Sequence, residues 1–358
     1  MEIINDEIIN NETFVEVYGS EENDTMENYG VFATVYGFGG DDVIRNYATH
    51  YAVIQSNNGN DSLYNFGEKA TIDGGEGNDY IRSHASNATI LSGAGRDTII
   101  SDDHIIFVDI DAGPDMDFVT NFSSYSTIDG NEGNDFVRNY YGIGVVLGGG
   151  ADQDELINYG ESSTLSGGSG DDTIFNYASN VSIDGGNDKD YIYTAINLTG
   201  VSVNGGSGND IIHNDSRNST ICGGFGADSI LSTSIASNVY LKGDGGSDTI
   251  QNYSANATID GGIHDDFIHD YVGNSTIIYM KNYGADYIYP YAENILIDMP
   301  DITVEDIAFV DDRVDYYEVQ FNRSSTIFVQ KTDYSPTFNF SDGNRYTYSN
   351  EKGTFVRS

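Results

Sequence analysis

The chain has 358 residues, with 57 acidic against 15 basic side chains, a formal charge of −42, 38% hydrophobic residues and 42 glycines. Charge of that sign and size excludes nucleic acid and anionic membrane surfaces as partners, and self-repulsion opposes compaction unless bound cations offset it. Cys222 is the single cysteine, which excludes an intramolecular disulfide.

Residues 1–16 read as an N-terminal cap. MEIINDEIINNETF has neither a basic region nor a long apolar run, so it is not read as a signal peptide or a membrane helix. Phe14 and Val15 are expected to cover the open end of the repeat region that begins at Val17. No other segment approaches the length of an apolar span, so membrane insertion is not expected.

From Val17 onward a large apolar residue returns at nine-residue steps: Val17, Met26, Val35, Ile44, then Ile54, Leu63, Ile72, Ile81, Ile90 and Ile99. The run resumes after each insertion, as at Leu156, Leu165, Ile174, Ile183 and Ile192. A helix would space apolar residues three or four apart, and an ordinary strand would alternate them. One per nine predicts a strand of about three residues with a single inward side chain, a tight turn, and a second strand running back.

Two such units form one coil, and the coil ends on an aspartate: Asp24, Asp42, Asp61, Asp79, Asp97, Asp117, Asp135, Asp154, Asp172, Asp190, Asp210, Asp228, Asp248, Asp266 and Asp286, always 18 to 20 residues apart. The predicted fold is all-β, a parallel β-roll or β-helix solenoid with coils of 18–20 residues over residues 17–297. About fifteen coils at ~4.8 Å each would make a rod roughly 70 Å long.

Other columns keep the same period. An aromatic column runs through Tyr29, Tyr47, Phe66, His84, Phe122, Tyr140, Tyr159, Tyr177, Tyr253, Tyr271 and Tyr291, and one residue earlier stand Asn28, Asn46, Asn65, Asn121, Asn139, Asn158, Asn176 and Asn252. These are expected to stack as ladders at the turn; a sugar-binding or partner-binding stripe is the functional alternative. Thr34, Thr71, Thr89, Thr127, Thr164, Thr220 and Thr258 form an outward row, as β-branched residues on strands do. An ice-binding row is the functional alternative there. The Asn-x-Thr sequons at Asn87, Asn218, Asn256 and Asn274 fall out of the same repeat.

Residues 298–358 leave the period and read as a C-terminal β-rich cap. Three or four strands are expected, with turns at Asp311-Asp312, Asn322-Arg323 and Asp342-Gly343.

The glycine loops carry the chemistry. GGxGxD stands intact at Gly74 to Asp79, Gly167 to Asp172, Gly205 to Asp210 and Gly223 to Asp228, with SGAGRD ending at Asp97. This pattern resembles the nonapeptide of the RTX, or hemolysin-type, calcium-binding proteins. The resemblance implies Ca²⁺ as the cofactor, a β-roll exported by type I secretion, and the tail as similar to the segment that leads into that pathway's signal.

Carried onto this sequence, the expected metal-binding residues are Gly74, Gly75, Gly77 and Asp79; Gly93, Gly95 and Asp97; Asp135; Gly167, Gly168, Gly170 and Asp172; Asp190; Gly205, Gly206, Gly208 and Asp210; Gly223, Gly224, Gly226 and Asp228; Asp248; and Asp266. The chemistry of these residues points the same way. Ca²⁺ takes six to eight oxygens, including carboxylates and carbonyls, and stacked loops offer Asp oxygens from one coil and carbonyls from the next.

Departures include GGNDKD ending at Asp190, GGIHDD at Asp266, GDGGSD at Asp248 and KNYGAD at Asp286, while the loop from Gly148 to Asp154 reads as one residue too long. Lys189 and Lys281 would weaken a cation site. Alternate nonapeptides have lost the loop, so calcium is expected along one edge. No Ser-His-Asp, HExxH or phosphate-loop pattern occurs, and the six histidines are dispersed, so no catalytic residue is expected.

The sequence thus points to a secreted, extracellular calcium-binding protein that folds on Ca²⁺, in a structural or adhesive role with a cell-surface or polysaccharide partner. A secretion and folding module, or a β-helix polysaccharide lyase or epimerase, are the alternatives.

Overall fold

The structure, a computed structural model, describes residues 2–4, 7–322, 325–349 and 352–357. The chain divides into two compact units, Met1–Ser182 and Ile183–Ser358.

In the first unit four-residue strands alternate with longer ones, and each pairs in parallel with its counterpart one coil on. Tyr80–Ser83 lies between Ser62–Asn65 and Thr98–Ser101, with Ile81 opposite Leu63 and Ile99. In the second sheet Thr71–Glu76 pairs with Thr89–Ala94, setting Ile72 opposite Ile90 and Gly75 opposite Gly93. Ile72, Ile81 and Ile90 are buried, so the nine-residue apolar period forms the two hydrophobic columns of the interior.

Most strands of the coils bury two positions, as Thr71–Glu76 and Tyr80–Ser83 do, where a single inward residue was expected. Strand side chains alternate, so two residues after Ile81 the chain points Ser83 inward, and two residues after Ile72 it points Gly74 inward. The second position is polar or glycine, and hydropathy therefore conceals it.

In most coils the inward polar position on the four-residue strands is asparagine. Asn28 Nδ2 donates to Asn46 Oδ1 (2.9 Å), and Asn46 Nδ2 to Asn65 Oδ1 (2.8 Å). Asn121, Asn139, Asn158 and Asn176 continue the row after serines at 83 and 101. Each amide also closes its own turn, as Asn65 does by donating to Gly67 O and accepting from Gly67 N–H, both at 3.0 Å. An amide carries both donor and acceptor, so this buried edge is satisfied by protein alone.

The aromatic column stacks outside the same turn, with Tyr29, Tyr47 and Phe66 at centroid spacings of 5.0 Å and Phe66 to His84 at 4.5 Å. The rings lie face to face, so the faces that would take a sugar ring are already covered.

The 19-residue coil before Asp154 places its extra residue in this turn. Asn139 spans to Gly142 instead of two residues on, and Gly148 faces outward opposite Asp129. The loop ending at Asp154 therefore starts at Gly149 and has the ordinary length.

At the N-terminus Glu7–Asn10 already pairs in parallel with Thr25–Asn28, and Glu2–Ile4 folds antiparallel over its free edge. Phe14 does not cover the end. It is 75% exposed and stacks on Phe32 at 4.7 Å.

The second unit repeats the pattern, with Ile211–Asn214 between Tyr191–Thr194 and Ser229–Ser232, and Thr220–Phe225 between Ser202–Ser207 and Tyr240–Gly245. Cys222 sits half-buried in Thr220–Phe225 as an outward strand residue.

Among the described residues six strands come after Asp298. Ser325–Gln330 and Thr337–Phe340 stack in parallel on Ala285–Pro290 and Leu296–Met299 as a further coil. Phe309–Asp312 and Tyr316–Asn322 extend one sheet antiparallel, and Arg345–Ser349 and Thr354–Arg357 the other. Phe355 packs edge-on against Phe338 and Phe340. Asp342-Gly343 turns as expected, with Gly343 at φ 74°. Asp311-Asp312 instead ends a strand, and the reversal falls at residues 313–315. The expected turn at Asn322-Arg323 runs into residues 323 and 324, outside the described residues.

Candidate metal centre

The edge opposite the asparagines is built from the glycine loops, whose glycines serve two different ends. Gly75 and Gly77 have φ of 99° and 129°, and a Cβ on either would collide with the carbonyl of Asn57 or Gly59 in the preceding coil. Gly93 and Gly95, Gly168 and Gly170, Gly206 and Gly208, and Gly224 and Gly226 share that conformation. The first glycine of the motif does not. Gly74, Gly205 and Gly223 point inward, where a Cβ would collide with Oδ2 of their own closing aspartate, five residues on.

Those aspartates are turned into the solenoid. Asp79, Asp97, Asp135, Asp154, Asp210, Asp228, Asp248 and Asp266 are all at most 3% exposed. In each, Oδ1 accepts the backbone N–H of the closing aspartate one coil back: Asp61 N–H to Asp79 (2.8 Å), Asp79 to Asp97 (2.7 Å), Asp190 to Asp210 (2.9 Å) and Asp210 to Asp228 (2.8 Å). Oδ2 has no hydrogen-bond partner in any of these eight. At Gly74, Gly130, Gly205 and Gly243 a backbone carbonyl from the next coil, such as Ser92 O or Gly223 O, reaches the same inward space.

A carboxylate buried without a partner costs several kcal/mol. Burial away from water pushes Asp79, Asp135 and Asp228 up to about 7 from 3.8, and Asp117 and Asp154 to about 8. Asp266 rises to about 9, with Asp286 adding to its burial. Acceptor oxygens converging on a buried space are the donor set that a hard cation takes.

Among the described residues no three His, Cys, Asp or Glu side chains gather into a metal cluster. The donor set offers carboxylate and carbonyl oxygens, which a hard cation such as Ca²⁺ accepts and a thiolate- or imidazole-seeking metal does not.

The structure brings the expected residues together in stacked loops: Gly74 to Asp79 on Gly93 to Asp97 in the first unit, and Gly205 to Asp210 on Gly223 to Asp228 in the second. Gly167 to Asp172 comes one coil after Asp154, whose N–H donates to Asp172 Oδ1 (2.8 Å). Asp190 starts the column of the second unit, and Asp248 and Asp266 continue it. Asp42, Asp117 and Asp154 share this placement, although their loops depart from the motif. The 18–20-residue spacing found them where the glycine pattern did not.

Asp24 differs. Ser20 donates to its Oδ2 through N–H (2.6 Å) and Oγ (2.9 Å), so that oxygen is already served. Lys281 does not disturb the column as expected: its Nζ pairs with Asp306 at 3.1 Å. His264 is exposed in its loop, while His269 lies in a strand stacked on Tyr289 at 4.3 Å.

The family described as the RTX calcium-binding nonapeptide repeat, in four copies, matches residues 70–99, 160–179 and 166–196. These segments carry RTX calcium-binding nonapeptide repeats. The matched segments hold Gly74 to Asp79, Gly93 to Asp97 and Gly167 to Asp172, and the ion that RTX repeats bind is Ca²⁺. No curated protein matches the chain. Among solved structures the chain is similar to a hyperactive, Ca²⁺-dependent, β-helical antifreeze protein from an Antarctic bacterium, at 20% identity over 75% of this chain and 87% of that one, with a TM-score of 0.44.

Proposed function

We propose that this chain is an extracellular structural protein, secreted unfolded and folded by calcium, with an adhesive role toward a cell surface or a polysaccharide. One observation carries the reading: Asp79, Asp135, Asp210 and Asp248 are buried with no hydrogen-bond partner at Oδ2, and a carbonyl of the next coil reaches the same inward space. Asp79, Asp97, Asp135, Asp172, Asp190, Asp210, Asp228, Asp248 and Asp266 would hold Ca²⁺ together with the carbonyls of their glycine loops. Bound calcium would supply the positive charge and the coordination that those oxygens lack.

Without it the charge of −42 and the buried carboxylates both oppose the folded state. A compartment poor in free calcium then keeps the chain extended, and one rich in it drives folding by mass action. The reading is non-enzymatic: the histidines at 264 and 269 serve a loop and a stack. For adhesion the regular surface is the outer face of the longer strands, where Thr71 and Thr89 stand in register beside Asp73 and Leu91.

Far-UV circular dichroism in chelator, then in millimolar Ca²⁺ with Mg²⁺ as control, tests the folding. A calcium-specific gain of β signal is expected, and an identical β spectrum in all three would end this reading. Binding to immobilised polysaccharides with and without Ca²⁺ tests the adhesive part, which fails if the folded chain retains none.

A further inference from the structure

The inward space beside each closing aspartate is open in some coils and filled in others, and one residue makes the difference. Glycine stands five residues before Asp42, Asp79, Asp135 and Asp154 in the first unit, and before Asp210, Asp228, Asp248 and Asp266 in the second. At each, a side chain would meet Oδ2 of the closing aspartate, an orphaned oxygen on a buried residue, and at most of them a backbone carbonyl of the next coil as well. None of these glycines has a positive φ. Glycine is there for space, not for backbone conformation.

Three registers of the first unit break the rule. Ser56 stands five residues before Asp61, Ser92 before Asp97 and Ala112 before Asp117. Ser56 Oγ donates to Gly74 O at 2.6 Å, and Ser92 Oγ donates to Ala112 O. Both serines and Ala112 are fully buried. Each hydroxyl therefore stands in the space that glycine leaves empty, and spends its hydrogen on the carbonyl that would otherwise face a cation. Ala112 puts a methyl group at the same register. A hard cation needs six to eight oxygens at about 2.3–2.6 Å, and a methyl or a donating hydroxyl in the cavity displaces it.

Resting on the calcium reading above, we propose that the residue five positions before each closing aspartate gates its cation pocket: glycine opens it, serine or alanine closes it. In the first unit the open pockets then lie at Asp42, at Asp79 and at Asp135 with Asp154 and Asp172, separated by closed registers at Asp61 and at Asp97 with Asp117. Asp210 to Asp266 in the second unit form an unbroken row. This removes Asp97, which carries a near-intact motif, from the cation-holding set, and admits Asp42 and Asp154, which do not.

Native mass spectrometry of the full chain in saturating Ca²⁺, with bound calcium counted independently by elemental analysis, tests the gate. Ser56→Gly is expected to add one ion and Gly74→Ser or Gly205→Ser to remove one. An unchanged count in Ser56→Gly overturns the gate, and a lower count does so by making the hydroxyl a ligand. Ser56→Gly removes bulk, so it decides the matter even if Gly74→Ser fails to fold. A wild-type chain that binds no calcium would instead overturn the calcium reading beneath the gate.

Discussion

Acid should replace calcium as the agent that folds this chain. The closing aspartates of the metal-free protein are raised well above the 3.8 of an exposed carboxyl, chiefly by burial: Asp79 and Asp135 to about 7, Asp117 and Asp154 to about 8. Below about pH 4 they are protonated in folded and unfolded chains alike and cost nothing. Between there and about pH 8 the folded chain keeps protons that the unfolded chain has released, so stability falls as pH rises. Above that window the loss is complete.

Taken at face value each such carboxylate represents roughly 4–6 kcal/mol at high pH. Relaxation, water access and mutual coupling reduce this to about 1–2 kcal/mol apiece. These four then remove about 4–8 kcal/mol from the first unit, against a typical total of about 5–15 kcal/mol. The folded state should be lost near pH 8 in chelator and recovered near pH 5.

A far-UV circular dichroism titration in chelator reads this directly, and the same titration in millimolar Ca²⁺ should stay β throughout its upper range. Asp154→Asn keeps an acceptor for the Asp135 N–H and removes the buried charge, so it should extend folding in chelator to higher pH. Glu132→Gln, at the exposed end of strand Thr127–Glu132, should not. A spectrum in chelator that ignores pH across this window, or an equal shift from both variants, would refute the assignment of the penalty to the buried column.

Three further substitutions probe other parts of the structure. Asn139→Ala removes donations to Asn158 Oδ1 and Gly142 O and orphans the Gly142 N–H; it should cost about 2–4 kcal/mol in calcium by urea denaturation, and a loss under about 1 kcal/mol would show the amide row to be dispensable. Gly75→Ala, at φ 99° with the Asn57 carbonyl in its way, should destabilise by more than about 3 kcal/mol, whereas a thermal melt indistinguishable from wild type would contradict the close coil approach. Tyr140→Ala, between Phe122 at 4.9 Å and Tyr159 at 5.8 Å, should cost about 1–2 kcal/mol and leave polysaccharide binding unchanged; lost binding with normal stability would restore the aromatic column as a contact surface.

The sequence by itself determined the coil, because an apolar residue every nine positions satisfies neither a helix nor an alternating strand. It also determined the loop edge, since an aspartate returning at 18–20 residues survives even where the glycines do not, as at Asp117 and Asp154. Only the tertiary structure decided what fills the interior between those columns. Whether Asn65 or Gly74 points inward depends on strand alternation and on what the next coil presents, and neither leaves a mark in hydropathy. The same holds for the sites: Ser92 and Gly74 look equivalent in sequence, and they part only when the neighbouring coil brings a carbonyl to the hydroxyl of one and leaves it facing an orphaned carboxylate beside the other. Contacts made across coils depend on three-dimensional register, and that register is set by hydrogen bonds between residues 18 to 20 apart.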